Sequence, residues 1–226
     1  MGLPINMPTL KIGDLTAKLP IIQGGMGVGI SLSGLAAAVA NEGGIGVISA
    51  TGIGMMEPDF NKNLREANER ALRREIRKAR QSSTGILGVN VMVALTDHLD
   101  MMRIAIEEKI DVIFIGAGLP LKVPDALIPD GKKIVKTKLV PIVSSGRAAK
   151  LIFHSWQKNF NHVPDAVVVE GPLAGGHLGF KRDQIDDPGY TLEKLLPDVI
   201  SEVKPYEELY QKTIPVIAAG GIFTGA

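Results

Sequence analysis

The chain has 226 residues, of which 45% are hydrophobic and 22% are charged. Its 25 basic side chains nearly balance 24 acidic ones, for a formal net charge of +1. This composition can bury a hydrophobic core, and the even charge excludes the basic surface that a nucleic-acid partner requires. The sequence has no cysteine, which excludes disulfides, thiolate metal ligands and a cysteine nucleophile.

The chain shows no targeting or membrane signal. Residues 1–19 lack a basic stretch followed by an apolar run, and no segment reaches the ~20 consecutive apolar residues of a membrane span. No histidines and acids have the spacing of metal ligands. We therefore expect a cytoplasmic protein with neither a membrane partner nor a bound metal.

Strands and helices alternate in the predicted secondary structure. Seven short runs rich in Ile and Val are typical of buried parallel strands: Pro20–Gly24, Ile45–Ser49, Gly85–Val91, Ile110–Gly116, Leu139–Ser144, Ala166–Glu170 and Ile214–Ala219. The predicted helices are Leu32–Asn41, Asn61–Gln81, Asp97–Lys109, Ala148–Lys158 and Leu192–Tyr210, with a weaker helical pattern at Leu121–Ile128. This alternation predicts parallel strands joined by helical crossovers in one domain spanning residues 1–226. The highly charged helix Asn61–Gln81 is expected to face solvent.

Two α/β architectures fit this alternation, an open doubly wound sheet and a closed barrel of eight strands. A dinucleotide-binding sheet requires Gly-x-Gly-x-x-Gly after its first strand, but Ile30 stands where the last glycine should be. The second strand also ends in Ser49-Ala50-Thr51 rather than near an acid. In a barrel, backbone after the seventh and eighth strands commonly holds phosphate, and the seventh run ends in Gly220-Gly221. We therefore predict a TIM (β/α)8 barrel.

The barrel is expected to be incomplete. The sequence stops at Ala226, directly after the seventh predicted strand, and an open barrel of seven strands would leave two apolar edges unpaired. We expect a C-terminally truncated chain from which the eighth strand is missing. That strand would carry the second half of the phosphate site.

The stretch Pro164–Gly179 is the most informative in the chain. A buried apolar strand ends at Glu170 and is followed by Gly175, Gly176 and His177. Adjacent glycines let backbone approach a flat or phosphorylated ligand, and histidine titrates near neutral pH. The arrangement indicates a cofactor enzyme in which His177 is catalytic, the alternative being a structural histidine. An acid inside a barrel is costly to bury, so we expect Glu170 to have a hydrogen-bond donor as partner.

Glycines and small polar residues follow other predicted strands as well. These are Gly24, Gly25 and Met26 after the first, Asn90 after the third, Gly116 and Gly118 after the fourth, Ser144 after the fifth, and Gly220 and Gly221 after the seventh. Backbone without side chains could face a flat ring, an asparagine amide could bond the ring edge, and successive glycine amides could bind a dianion. Each group has an ordinary alternative in turn formation, or, for Ser144 and its neighbour Ser145, in capping the helix that follows.

In this order the strand ends resemble the FMN-dependent nitronate monooxygenases, formerly called 2-nitropropane dioxygenases, and their close relatives, the flavin-type enoyl-ACP reductases. The resemblance extends from Leu19 onward and is carried by residues 20–27, 88–90, 116–120, 170–177 and 215–221. It implies a TIM barrel with FMN at its mouth, contacted by the strand-end glycines, Met26, Asn90, Ser144 and Glu170. It also implies that His177 handles a proton at the substrate.

Three functions remain open. The first is a nitronate monooxygenase, which oxidises an alkyl nitronate with O2 to a carbonyl product and nitrite, with His177 as base or charge-stabilising donor. The second is an enoyl-ACP reductase that takes electrons from NAD(P)H through FMN and has an acyl carrier protein as partner. The third is a flavin- or phosphate-binding module without turnover. The long connections Thr51–Thr84 and Phe180–Thr213 could cover the mouth or form an oligomer contact, as in a homodimer.

Overall fold

The chain folds as an α/β protein in a computed structural model that describes residues 7–122 and 136–222. The strands within these ranges are β1 (Leu10–Ile12), β2 (Leu15–Ala17), β3 (Ile45–Ser49), β4 (Ile86–Met92), β5 (Val112–Gly116), β6 (Lys138–Val143), β7 (Val167–Glu170) and β8 (Val216–Ala219). The helices are α1 (Ser33–Asn41), α2 (Leu64–Ser82), α3 (His98–Glu107), α4 (Gly146–Phe160) and α5 (Leu192–Tyr210), with 3-10 turns at Arg182–Gln184 and Pro188–Tyr190.

The predicted alternation of parallel strands and helices is confirmed. Strands β3 to β8 are hydrogen-bonded in the same order as they occur in the chain. Ile45 of β3 lies opposite Ile86 of β4, and Val143 of β6 lies opposite Val169 of β7, in parallel register. Parallel neighbours need a crossover between them, and α2, α3, α4 and α5 lie on such connections. The weak helical pattern at Leu121–Ile128 falls mostly outside the described residues.

The prediction of a strand at Pro20–Gly24 is wrong. This segment forms a single parallel bridge, between Ile22 and Ile45. Beyond that bridge the Gln23 side chain, rather than the main chain of a neighbouring strand, bonds the main chain of β3. Its Nε2 donates to the Val47 carbonyl (2.9 Å) and its Oε1 accepts from the Val47 amide (3.3 Å). The parallel sheet of the described residues therefore has six strands rather than the seven predicted.

A short antiparallel hairpin of β1 and β2 precedes the sheet and is absent from the sequence prediction. Gly13 at its turn has a φ of 60°, in the left-handed region that favours glycine. Ile12 and Ala17 are buried. Strands of three residues are too short to show a period of two in the sequence, which is why this hairpin escapes prediction.

Residue contacts divide the chain into two compact units. The first comprises Met1–Val91 and Asp100–Ile113, and the second comprises Met92–Leu99 and Phe114–Ala226. The single domain predicted for residues 1–226 stays a prediction. Among the helices that the structure describes, none combines the length and the apolar character needed to cross a membrane.

In the first unit, α1 lies against the sheet at very short range. A Cβ atom at Gly46 would lie 1.8 Å from the Ala36 carbonyl oxygen, and a Cβ atom at Gly85 would lie 2.4 Å from the Ala40 carbonyl oxygen. The helix presents buried alanines to this contact. Glycine on β3 and directly before β4, and alanine on the helix, are thus needed for the main chains to approach this closely.

The charged face of α2 pairs with acids at the C-terminal end of α3 and directly after it. Arg73 forms ion pairs with Glu107 and Glu108, and Arg77 pairs with Glu108 at 2.6 Å. The hydrogen bond from Arg77, together with one from Arg73, lowers the pKa of Glu108 despite its partial burial. Much of this face is exposed, as the sequence predicts, but its charges are matched rather than merely solvated.

The buried acid Glu75 of α2 caps helix α1. Its Oε2 accepts hydrogen bonds from the main-chain amide (3.1 Å) and the hydroxyl (2.5 Å) of Ser33, the first residue of α1. Leu32, which precedes the helix, has no polar side chain to perform this function. Burial acts to raise the pKa of Glu75, but the hydrogen bonds from Ser33 and the charge of Lys78 outweigh it, so that the pKa is lowered.

Replacing Glu75 by alanine is expected to lower the free energy of unfolding near neutral pH by about 2 kcal/mol, because hydrogen bonds to a charged acceptor are lost. The pKa of Glu75 is lower in the folded protein than in the unfolded chain. The stabilisation by its carboxylate is therefore complete above the unfolded-state pKa and is lost as the pH falls through the folded-state pKa. Urea unfolding from about pH 7 to about pH 3 measures the change.

The matched control is Glu66→Ala, an exposed acid on the same helix, which should change the free energy of unfolding by less than about 0.5 kcal/mol. A stability difference for Glu75→Ala that stays constant across the pH range would contradict the role assigned to its carboxylate.

In the second unit, α4 and α5 pack together beside β6, β7 and β8. Phe153 and Trp156 of α4 are fully buried, and the Phe153 ring lies 5.0 Å from the Tyr206 ring of α5 between centroids. Aromatic pairs at this separation add to the stabilisation from burial alone. These aromatic residues anchor the two helices to each other.

An aspartate fixes the register at the start of β7. The Asp165 amide donates to the Leu139 carbonyl (3.0 Å), and the Asp165 carboxylate accepts from the Leu139 amide (2.9 Å). Asp111 makes the same two bonds with Leu87 in the first unit, at 3.1 Å and 2.8 Å. Both acids thus align the strand that follows them with the neighbouring strand.

Candidate active site

A cavity of about 420 Å³ lies within the second unit, at the carboxyl ends of β5, β6 and β7. Four residues predicted to be functional line it: Gly118, Ser144, Glu170 and His177. The rest of the wall is Ala94, Ala117, Leu119, Ile142, Val143, Ala148, Leu178 and Gly179. The cavity is therefore mostly apolar, with one carboxyl, one imidazole and one hydroxyl among its side chains.

Trp156 of α4 holds one wall of the cavity, and sequence reasoning missed it. Its indole Nε1 donates to the buried Pro120 carbonyl at 2.6 Å, and the neighbouring Ser155 hydroxyl donates to the Leu121 carbonyl at 3.2 Å. These bonds fix the main chain beside Leu119. The available signal was the single tryptophan of the chain within an amphipathic helix, but nothing in the sequence pairs it with a loop more than thirty residues away.

Ser144 and Ser145 have different functions after β6. Ser145 caps α4, since its side chain accepts from the Ala148 amide at 3.2 Å. Ser144 instead donates to the Gly179 carbonyl at 3.2 Å, and a Cβ atom at Gly179 would lie 2.5 Å from its hydroxyl oxygen. Ser145, rather than Ser144, therefore caps α4. Ser144 fastens the loop that carries His177.

Glu170 ends β7 and is half-buried. Within the described ranges its carboxyl has no hydrogen-bond or ion-pair partner, so the donor that we expected is not supplied by these residues. Burial raises the pKa of Glu170. A carboxyl that lines a cavity without a protein donor is available to a donor on a ligand.

His177 is exposed and lines the cavity. Gly176 before it has a φ of 90°, a conformation that favours glycine. Added Cβ atoms at Gly175 and Gly176 would meet no protein atom within 4 Å, so no described protein group covers these positions. The main chain of these two glycines, which precede His177, is therefore open on the side to which a side chain would point.

Gly220 and Gly221 follow β8 with φ values of 85° and 78°. A Cβ atom at Gly220 would lie 2.7 Å from the Cβ of Ala174, and one at Gly221 would lie 3.0 Å from the Cβ of Leu173. Both glycines thus let the turn after β8 pack on the loop after β7. Neither lines the cavity, so their predicted contact with a phosphate stays a prediction, as does the predicted contact of Gly116 with the flavin.

The remaining predicted residues lie in the first unit. A Cβ atom at Gly25 would lie 2.3 Å from the Cβ of Asn90, so these two predicted residues are in contact. Gly24 has open space beside its Cα, and Met26 has an exposed side chain. Ser31, which sequence reasoning missed, is fully buried beneath this loop.

These features define a class of protein: an α/β chain of parallel strands with a cavity at their carboxyl ends, the position at which TIM-barrel enzymes hold cofactor and substrate. The chain matches the family model for nitronate monooxygenase over residues 9–226. It therefore belongs to the nitronate monooxygenase family, whose members are oxidoreductases.

Solved structures agree with this assignment. FabK from Thermotoga maritima is 33% identical, with a TM-score of 0.65, and the match covers 91% of this chain and 52% of that one. A mutant form of that FabK has the same identity and TM-score, covering 91% and 55%. Nitroalkane oxidase from Streptomyces ansochromogenes is 23% identical, with a TM-score of 0.65, covering 92% and 60%.

The chain thus spans between half and three fifths of the length of these structures. FabK has a TIM-barrel fold, and the predicted fold class, an α/β fold with an incomplete TIM barrel, is confirmed. A comparison with curated proteins gave no match.

Replacing Glu170 by glutamine is expected to raise the free energy of unfolding near neutral pH, by less than about 1 kcal/mol because solvent screens a half-buried charge. Because the folded pKa is raised above the unfolded one, the carboxyl disfavours folding once the pH exceeds the unfolded pKa. The gain should therefore disappear below about pH 4, which urea unfolding at several pH values measures.

Glu208→Gln, at an exposed position on α5, is the control and should show no such gain. A loss of stability in Glu170→Gln near neutral pH would mean that the carboxylate has a stabilising partner, contrary to this interpretation.

Proposed function

We propose that this protein is an FMN-dependent oxidoreductase that oxidises alkyl nitronates with O2 to a carbonyl product and nitrite. The observation that carries the proposal is that Glu170 and His177 line one cavity at the ends of parallel strands, in a chain of the nitronate monooxygenase family. An imidazole and a carboxyl at an apolar cavity are the groups that proton handling beside a cofactor requires.

The cavity residues fit a flavin nucleotide. A volume of about 420 Å³ is within the range of small-molecule sites, roughly 300–1,000 Å³. Apolar walls such as Leu119 and Ile142 suit a flat ring system. The carboxyl of Glu170 has no donor among the described residues, and the hydroxyl groups of the FMN ribityl chain are donors.

FMN, when bound, supplies a ring that accepts two electrons from a substrate. The protein residues bind, orient and handle protons. His177 accepts a proton from the carbon of a nitroalkane, or donates a hydrogen bond to the oxygens of the anionic nitronate. Glu170 accepts hydrogen bonds from donor groups of the ligand, since its carboxyl has no donor among the described residues.

The other predicted flavin contacts stay predictions. They are Gly116, Gly118, Ser144, Gly175, Gly176, Gly220 and Gly221 in the second unit, and Gly24, Gly25, Met26 and Asn90 in the first. A cytoplasmic location and a homodimer also stay predictions.

Enoyl-ACP reduction is the second candidate, and the likeness to FabK, an enoyl-ACP reductase, favours it. At 33% identity over 91% of this chain, FabK is nearer in sequence than the nitroalkane oxidase at 23%. This function would need NAD(P)H as the electron source and an acyl carrier protein as partner. His177 would then deliver a proton to the α-carbon of the enoyl thioester.

The two candidates differ in what reduces the flavin. The FMN-loaded protein is mixed anaerobically with NADH, NADPH and an alkyl nitronate in turn, and flavin bleaching is followed by absorbance. Bleaching by the nitronate alone, with nitrite released when air is admitted, supports the monooxygenase. Bleaching by a nicotinamide supports the reductase, and bleaching by none of the three supports a binding module without turnover. A protein that takes up no FMN would refute the flavin proposal.

Replacing His177 by glutamine is expected to lower kcat by ~10²-fold, because a positioned proton donor or acceptor is lost. FMN affinity should stay within about twofold of the wild type, since the imidazole is exposed and makes no described contact that shapes the cavity. Steady-state turnover and flavin titration measure the two quantities.

His154→Gln, on the exposed face of α4, is the matched control and should leave both quantities unchanged. An unchanged kcat in His177→Gln would show that the imidazole takes no part in turnover.

A further inference from the structure

The buried hydroxyl of Ser31 anchors an exposed loop of the first unit. Residues 24–30 are all exposed, whereas Ser31, which follows them, is fully buried. The loop contains Gly24, Gly25 and Met26, three of the residues predicted to contact the flavin. Glycine main chain loses more conformational freedom on ordering than any other residue, so such a loop needs specific anchors to keep one conformation.

The Ser31 hydroxyl uses its full hydrogen-bonding capacity. It donates to the Gly24 carbonyl (3.1 Å) and accepts from the Met26 amide (3.0 Å) and from Gln23 Nε2 (2.9 Å). A hydroxyl has one donor and two acceptor sites, and all three are occupied. One side chain thus ties together both ends of the segment that runs from Gly24 to Met26.

Gln23 connects this hydroxyl to the sheet. The same Nε2 that bonds Ser31 also donates to the Val47 carbonyl at 2.9 Å, and Oε1 accepts from the Val47 amide at 3.3 Å. The main chain of Ser31 adds two further bonds, accepting from the Ser49 amide and donating to the Met26 carbonyl, each at 2.9 Å. Gln23 and Ser31 therefore fix the position of the loop relative to β3.

We propose that Gln23 and Ser31 are positioning residues that hold the main chain of Gly24–Met26 in the conformation that receives the flavin. This inference rests on the proposed function, because it takes FMN as the ligand of the loop. A Cβ atom added at Gly24 would meet no described atom within 4 Å, so a flat ring can approach the main chain from that side. A preformed loop does not have to be ordered when the ligand binds, and affinity rises accordingly.

The test compares Ser31→Ala with the wild type in the purified protein. The variant removes the three hydroxyl hydrogen bonds and keeps the main-chain bonds of residue 31. We expect hydrogen exchange of the Met26 amide, measured without flavin, to become at least ~10-fold faster. FMN affinity should fall by about tenfold or more, and the visible circular dichroism of bound FMN should change, because the loop no longer presents one conformation.

Ser33→Ala is the matched control. Ser33 lies two residues from Ser31 and outside the loop, and the variant removes the hydrogen bond from its hydroxyl to the Glu75 carboxylate. It should lower thermal stability to a similar degree while leaving Met26 exchange, FMN affinity and the flavin spectrum as in the wild type. If Ser33→Ala weakened FMN binding as much as Ser31→Ala, the effect would be one of general stability and the positioning role would be overturned.

Gln23→Met, which keeps the length of the side chain and removes its hydrogen bonds, provides a second variant should Ser31→Ala not fold. Unchanged Met26 exchange in a folded variant overturns the inference, and so does faster exchange with unchanged FMN affinity and spectrum. A wild-type protein that binds no FMN refutes the proposed function itself, and this outcome is seen before any variant is compared.

Discussion

The candidate site depends on the paired hydrogen bonds between Asp165 and Leu139. They fix the register of β6 and β7 at the start of the two strands, so that Val143 and Val169 end opposite each other. The residues that follow, Ser144 and Glu170, therefore reach the same edge and line the same cavity. A slip by one residue would turn every β7 side chain to the other face of the strand and remove the carboxyl from the cavity.

The charged side chains of α2 and the Glu170 carboxyl at the end of β7 have different surroundings. On α2, Arg73 and Arg77 are matched by Glu107 and Glu108 at the C-terminal end of α3, and Glu75 receives two hydrogen bonds from Ser33. At the end of β7, by contrast, Glu170 is half-buried without a donor among the described residues. The Glu170 carboxyl thus stays open at a position where a ligand can supply the partner.

Several elements follow directly from local sequence. Helix α5 spans Leu192–Tyr210 as predicted, although it contains Pro197 and Pro205, because its buried face recurs at helical spacing. Strand β3 lies at Ile45–Ser49 as predicted, and all five of its residues are buried. The strand predicted at Pro20–Gly24 does not form, because the Gln23 side chain occupies main-chain hydrogen-bonding groups of β3 that a strand would use. The pattern of hydrophobic residues gives no indication of this bond.

The sequence by itself determined the alternation of strands and helices, the family and the residues at the strand ends, because these depend on the order and spacing of nearby residues. Only the tertiary structure decided which of those residues share a cavity, that Ser145 rather than Ser144 caps α4, and that Trp156 and Ser31 anchor loops. Trp156 bonds a residue 36 positions away, and Gln23 bonds one 24 positions away. Such bonds between distant residues form only when strand register and helix packing bring the partners together. The local spacing of residues in the sequence therefore does not predict them.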